Sequence, residues 1–190
     1  NLMTLRDIKR LSKEIILKAN ECNIVISTAE SCTGGLIGSA LTSISGSSAV
    51  YDRGYITYSN ESKSDLLNID IKLIEKYGAV SKEIAILMAE GALKLSNANL
   101  TVSVTGVAGP GGGTKINPVG RVHMGVAKKN KKTDLLLYTI GDKGRQHIRE
   151  LTTLRALENI FRNLFFLKFA VQFFDNDFIN GKYLWKTKKK

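Results

Sequence analysis

The chain has 190 residues, 43% hydrophobic and 24% charged, which suits one globular domain with its own core and excludes a low-complexity polymer. A count of 28 Lys and Arg against 17 Asp and Glu leaves a formal net charge of +11. The two cysteines, Cys22 and Cys32, are too few for a disulfide scaffold or a four-cysteine zinc site. No run reaches the roughly 18 apolar residues of a membrane span, and no leader pattern opens the chain, so a cytoplasmic location with reduced thiols is expected.

Leu5, Ile8, Leu11, Ile15 and Ile16 recur at helical spacing and predict an amphipathic helix over residues 5–19. A short apolar run at 23–28 predicts a buried strand, followed by a glycine-rich turn at 30–35 and a helical stretch to about residue 44. A second strand is expected at 54–58, with helical segments at 61–67 and 71–77. Ser81, followed by Glu83 and Ile84, predicts a capped helix running to about residue 96. Residues 100–105 read as a strand, 106–118 as a loop carrying Gly109, Gly111, Gly112 and Gly113, and 119–127 with 134–140 as a hairpin. A long helix follows from about residue 143. Strands alternating with helices predict an α/β fold, a three-layer α/β/α sandwich, and the late hairpin makes its mostly parallel sheet a mixed one.

Two features are local to parts of the chain. Lys128, Lys129, Lys131 and Lys132 form one basic cluster, and Lys182, Lys186, Lys188, Lys189 and Lys190 another at the end. Such clusters are solvated faces or attract an anionic partner. All seven phenylalanines lie between Phe161 and Phe178, with Phe161, Phe165, Phe169 and Phe173 at four-residue spacing. That stripe suits packing on the sheet or a contact between subunits.

Three places carry candidate chemistry. Ser31 follows a strand and precedes a helix, where the amides near Thr33, Gly34 and Gly35 suit an oxyanion site; the same position suits a plain helix cap. Cys32 beside it is a rival nucleophile. A serine nucleophile needs a base, and nothing ties His123 or His147 to Ser31. Lys63, closing Y-S-N-E-S-K at 58–63, serves if burial keeps it neutral, with Tyr58 passing or orienting a proton; otherwise it is a surface lysine. The glycine-rich loop T-G-V-A-G-P-G-G-G at 105–113 suits an anion cradle but matches neither the P-loop nor the dinucleotide fingerprint. Arg145 and Arg149 suit a phosphate or carboxylate, or a solvated helix face.

Taken in order, these segments resemble one family. A-E-S-C-T-G-G at 29–35, G-S-S-A at 46–49, G-Y-I-T-Y-S-N-E-S-K at 54–63, G-A-V-S at 78–81, T-G-V-A-G-P-G-G-G at 105–113 and P-V-G at 118–120 match the C-terminal domain of CinA-type proteins, which also occurs alone as nicotinamide-nucleotide amidohydrolase. The resemblance covers about residues 5–165. It implies metal-independent, cofactor-free hydrolysis of the carboxamide of nicotinamide mononucleotide by a Ser–Lys pairing. Carried over by motif, Ser31 is nucleophile, Lys63 base and Tyr58 their neighbour. Thr33, Gly34, Gly35, Asn60, Thr105, Gly106, Gly109 and Arg145 line the substrate site. It also implies a homodimer acting on a small nucleotide rather than on nucleic acid. Residues 1–166 are expected to be the domain and 167–190 a helical extension with a basic tail that the family pattern lacks. A nucleotide-binding or protein-interaction module without turnover is the alternative.

Overall fold

The computed structural model describes the backbone of residues 2–179 and the side chains of residues 2–165. Helix α1 (Leu2–Cys22) leads into β1 (Ile26–Glu30), then α2 (Leu36–Thr42), a 3-10 turn (Ser47–Ala49) and β2 (Tyr51–Ile56). Helices α3 (Asn60–Leu67), α4 (Ile71–Tyr77) and α5 (Lys82–Lys94) follow, then β3 (Leu100–Gly106), β4 (Arg121–Lys128), β5 (Asp134–Thr139) and α6 (Arg145–Ile179).

The five strands form one sheet in the order β2-β1-β3-β4-β5. β1 pairs parallel with β2 and with β3, while β3–β4 and β4–β5 are antiparallel, so β4 alone runs against the other four. The mixed three-layer α/β/α architecture expected from the sequence is the one observed. Because β1 lies between β2 and β3, the chain leaves it to one side for β2 and returns to the other side for β3. In open α/β sheets such a reversal marks the carboxyl ends of the strands, here those of β1, β2 and β3, as the usual ligand position. These ends are level: Glu30 pairs with Ile56 on one side and Val104 on the other.

Alternation along the strands sorts the two faces. Leu100, Val102 and Val104 join Val122, Met124 and Val126 under α1, α2 and α6, where Ile15, Ile16, Ile37, Leu41, Ile148, Leu157 and Ile160 are fully buried or nearly so. Each such side chain removed from water contributes about 1.5–3 kcal/mol. The opposite face of β3 presents Thr101, Ser103 and Thr105, all buried, toward α5. Small groups there let α5 approach closely. Ser103 Oγ donates to the Ala85 carbonyl at 2.5 Å and accepts from the Gly125 amide at 3.1 Å. A second apolar cluster of Leu67, Ile69, Ile74, Ile84 and Met88 joins α3, α4 and α5 beside Ala29.

The cap predicted at Ser81 is present: its Oγ accepts from the Ile84 amide at 3.3 Å. Several boundaries differ from the sequence expectation: β2 spans Tyr51–Ile56 rather than the expected 54–58, and two shifts bear on Ser31. β1 runs on to Glu30, because Glu30 pairs with strands on both sides, and α2 begins only at Leu36, five residues beyond Ser31. Phe161 and Phe165 of the aromatic stripe meet edge to face with centroids 4.9 Å apart. Phe169 and Phe173, like the lysines from Lys182 onward, lie outside the described side chains. No helix among the described residues is long and apolar enough to cross a membrane.

Candidate active site

The site is assembled where three strand ends meet. Ser31 follows β1, its amide donates to the Val104 carbonyl at 3.0 Å, and the residue is 9% exposed beside the carboxyl ends of β1 and β3. Lys63 lies one turn inside α3. Helical side chains lean back toward the N-terminus, which carries the Lys63 ammonium group to the carbonyls that precede α3. Nζ donates to Thr57 O at 2.8 Å, Ser59 O at 3.3 Å and Tyr58 O at 3.4 Å, and lies 3.3 Å from Ser31 Oγ. α3 is anchored in turn by Ser59, whose Oγ accepts from the Ser62 amide.

Lys63 is 1% exposed, the largest fully buried side chain among the described residues. Burial lowers its pKa below the ordinary lysine value, and the acidic groups of Cys32 and Glu61 oppose this only in part. Buried lysine without a carboxylate in contact is the setting that favours a neutral amine. Of the two readings left open at Lys63, the surface lysine is excluded.

Cys32 faces away from this chemistry. Its side chain belongs to the apolar cluster under α1, α2 and α6, and burial pushes its thiol up to about 12. A thiol held protonated in a core is a poor nucleophile. His123 lies two strands away from Ser31, opposite Thr105 on β4, and is held below the ordinary histidine range by burial and by Arg121.

The turn joining β1 to α2 is held from both sides. The Glu30 carboxylate, 1% exposed, accepts from the amides of Gly35 at 3.0 Å, Ile37 at 3.1 Å and Gly38 at 2.9 Å. It also accepts from Thr33 Oγ1 at 2.7 Å and Thr28 Oγ1 at 3.3 Å. From the α6 side, Arg149 donates to Cys32 O at 3.2 Å and Thr33 O at 2.8 Å. Gly34 and Gly35 adopt φ of +61° and +98°, which side-chain-bearing residues rarely do. The expectation of oxyanion donors at Thr33–Gly35 is therefore corrected in part. The Gly35 amide is occupied by Glu30 and the Gly34 amide by Ser31 O. Among the described residues, the Cys32 and Thr33 amides engage no backbone carbonyl. Ser31 is not the helix cap either: Gly35 holds that position, and Glu30 supplies the acceptor.

The other residues expected in the site divide into two groups. Arg145 donates through Nη1 to Gly109 O at 2.9 Å and through Nη2 to the Tyr58 hydroxyl at 3.0 Å, bridging the glycine-rich loop to the segment before α3. Both acceptors are neutral. Tyr58 itself is 62% exposed. Asn60 opens α3 with its side chain exposed. In contrast, the Thr105 hydroxyl donates to Ala79 O at 2.7 Å, fastening β3 to the start of α5. Thr33 is fully buried on Glu30. A Cβ on Gly106 would lie 2.7 Å from Arg121 O, so this glycine serves the close β3–β4 approach. Glu30 and the role of Arg149 escaped the sequence reading. The signal for Glu30 was an acidic residue just ahead of a glycine-rich helix start, where carboxylates satisfy orphan amides.

A separate groove of about 530 Å³ lies behind the turn, between α1, α2 and α6; it shares Arg145 and Arg149 with the site but not Ser31. No group of three His, Cys, Asp or Glu suited to a metal occurs among the described residues.

Comparison with known proteins places this site in context. The model of the CinA C-terminal domain matches residues 8–164. A Clostridium botulinum protein named as competence-damage inducible is 50% identical over 142 residues, 75% of this chain and 34% of its own length. A CinA-like protein of Colwellia psychrerythraea is 48% identical over 130 residues, 68% of this chain and 30% of its own. The chain thus spans about a third of the length of the curated relatives it matches. Among solved structures, the competence/damage inducible protein CihA of Agrobacterium tumefaciens is 47% identical with a TM-score of 0.79, covering 81% of this chain and 93% of that one. A competence damage-inducible protein of Klebsiella pneumoniae subsp. pneumoniae is 27% identical with a TM-score of 0.78, covering 83% and 96%. With its sheet, helices and ordered motifs inside one matched region, the chain belongs to the CinA C-terminal domain family.

Proposed function

We propose that this domain hydrolyses the carboxamide of nicotinamide mononucleotide to nicotinate mononucleotide and ammonia, with Ser31 as nucleophile and Lys63 as its base. The observation that carries the reading is the buried Lys63 Nζ, 3.3 Å from Ser31 Oγ, with a pKa lowered by burial.

The chemistry follows from that pair. A neutral amine has two N–H bonds and one lone pair. The two N–H bonds suit the two nearest carbonyls, Thr57 O and Ser59 O, which leaves the lone pair for the Ser31 proton. As Oγ attacks the carboxamide carbon, that proton passes to Lys63, and the carbonyl oxygen becomes an oxyanion, for which the Cys32 and Thr33 amides are the turn donors that engage no backbone carbonyl. Collapse breaks the C–N bond, and Lys63 returns the proton to the departing ammonia. Water then adds to the Ser31 ester, losing a proton to Lys63; collapse breaks the bond between Oγ and the acyl carbon, Lys63 returns that proton to Ser31 Oγ, and the nicotinate mononucleotide leaves. Arg145, whose partners are a carbonyl and a phenol, retains an unneutralised charge for the substrate phosphate. Tyr58 then acts as a wall of the site held by Arg145, rather than as the proton carrier expected from the sequence. A homodimer and a cytoplasmic location belong to the same proposal.

Ammonia release from nicotinamide mononucleotide tests it. Ser31→Ala and Lys63→Ala are each expected to lower kcat by at least about 1000-fold while leaving the fold intact. No ammonia from the parent chain at high enzyme concentration, or full activity in Ser31→Ala, would refute it.

A further inference from the structure

The Glu30 carboxylate is the one buried acid beside the reacting pair that the reaction above does not use. It touches neither Ser31 Oγ nor Lys63 Nζ in any hydrogen bond of the described residues. Instead it accepts five bonds, three from the amides of Gly35, Ile37 and Gly38 and two from the hydroxyls of Thr28 and Thr33. Three of those donors are the orphan amides of the first turn of α2, the groups that would otherwise face a ligand. Two consequences follow. The positive end of α2 is already neutralised from inside the protein, so α2 does not serve as an anion site beside Ser31. The turn carrying Ser31 is also tied to the start of α2 through Thr33 and Gly35, while Arg149 holds its carbonyls from the other side.

We infer that Glu30 is a positioning residue, whose bonds to Thr33 and to the first turn of α2 fix the Ser31 turn so that Oγ stays aligned on Lys63. This rests on Ser31 as the nucleophile and not on which amide it attacks. A displacement of about 1 Å in such an arrangement costs on the order of 100-fold in rate.

The test reads Ser31 directly, by the rate at which a fluorophosphonate labels it in the intact protein. In that step Oγ bonds to phosphorus, the P–F bond breaks with loss of fluoride, and the proton goes to Lys63. Glu30→Gln keeps the shape but sets an amide NH₂ against N–H donors. It is expected to label about 100-fold more slowly than the parent, and Glu30→Asp, one methylene shorter, to fall between. Leu41→Ala, buried in α2 outside the site, is the stability control: its melting temperature drops, yet its labelling rate stays within about 3-fold of the parent. The pH limb of labelling keeps its midpoint in the Glu30 variants, because Lys63 still titrates. Parental labelling in Glu30→Gln, an equal slowing in Leu41→Ala, a shifted limb, or no label at Ser31 in the parent would each overturn the assignment. Fast labelling of Ser31 without ammonia from nicotinamide mononucleotide would refute the proposed substrate and leave the role of Glu30 standing.

Discussion

Lys63 is held where a lysine is costly, and its pH behaviour follows from that. Its folded-state pKa lies below the ordinary lysine value because burial disfavours the ammonium. The folded protein therefore binds fewer protons than the unfolded chain between the depressed value and about 10.4. Stability carried by this group rises with pH through that window and is lost as pH falls through it. In the proposed reaction, activity runs the same way, since the neutral amine is its working form. The kcat of ammonia release should rise with pH along a limb whose midpoint lies below about 10.4. Lys63→Arg should abolish the limb and the activity together, because a guanidinium stays charged. Cys32 makes the opposite prediction. With its thiol pushed up to about 12, only on the order of one molecule in 10,000 is thiolate at pH 8. Iodoacetamide should therefore modify the half-buried Cys22 in the native protein and spare Cys32, as counted by mass spectrometry; rapid labelling of Cys32 would reopen it as nucleophile.

At the scale of elements, the approach of α5 to the sheet is what holds the α3 side of the site in place. α5 contacts β1, β3 and β4 and carries the second apolar cluster to α3. A Cβ on Gly125 would sit 2.6 Å from Ala85 O and 2.8 Å from Ser103 Oγ, with backbone on one side and a committed hydroxyl on the other. Neither can move aside freely. Gly125→Ala should cost about 1–3 kcal/mol, lowering the melting temperature by roughly 2–4 °C per kcal/mol in a chain of this size. Scanning calorimetry would measure it, and an unchanged melting temperature would mean that α5 can lift from the sheet.

For the whole molecule, charge acts against compactness. The ion pairs among the described residues lie at or near the surface, as in Arg10–Glu14 and Arg155–Glu158. Exposed pairs contribute about 0–1 kcal/mol each. A net charge of +11 repels itself in any compact state. Screening should therefore help more than it harms: raising NaCl from about 20 mM to about 500 mM, which shortens the Debye length to a few ångströms, should raise the melting temperature. A fall would show that surface pairs outweigh the repulsion.

The sequence by itself determined the element order, the mixed α/β sandwich and the cap at Ser81, because these rest on short-range periodicity and on turn residues. It also marked Ser31, Lys63 and Tyr58 through ordered motifs, and Arg145 through the family resemblance. Only the tertiary structure decided where each is buried and what it touches. Lys63 becomes a buried amine because α3 starts beside the end of β1, and Cys32 an inert core thiol because the turn directs it under α1, α2 and α6. Glu30, read at first as part of a loop, closes five hydrogen bonds with donors from Thr28 to Gly38. Thr105, read as a substrate contact, fastens β3 to Ala79. Spacing along a chain sets which face a residue takes. Burial and partners come from segments far apart in sequence, and they set whether a lysine is a base or a serine a cap.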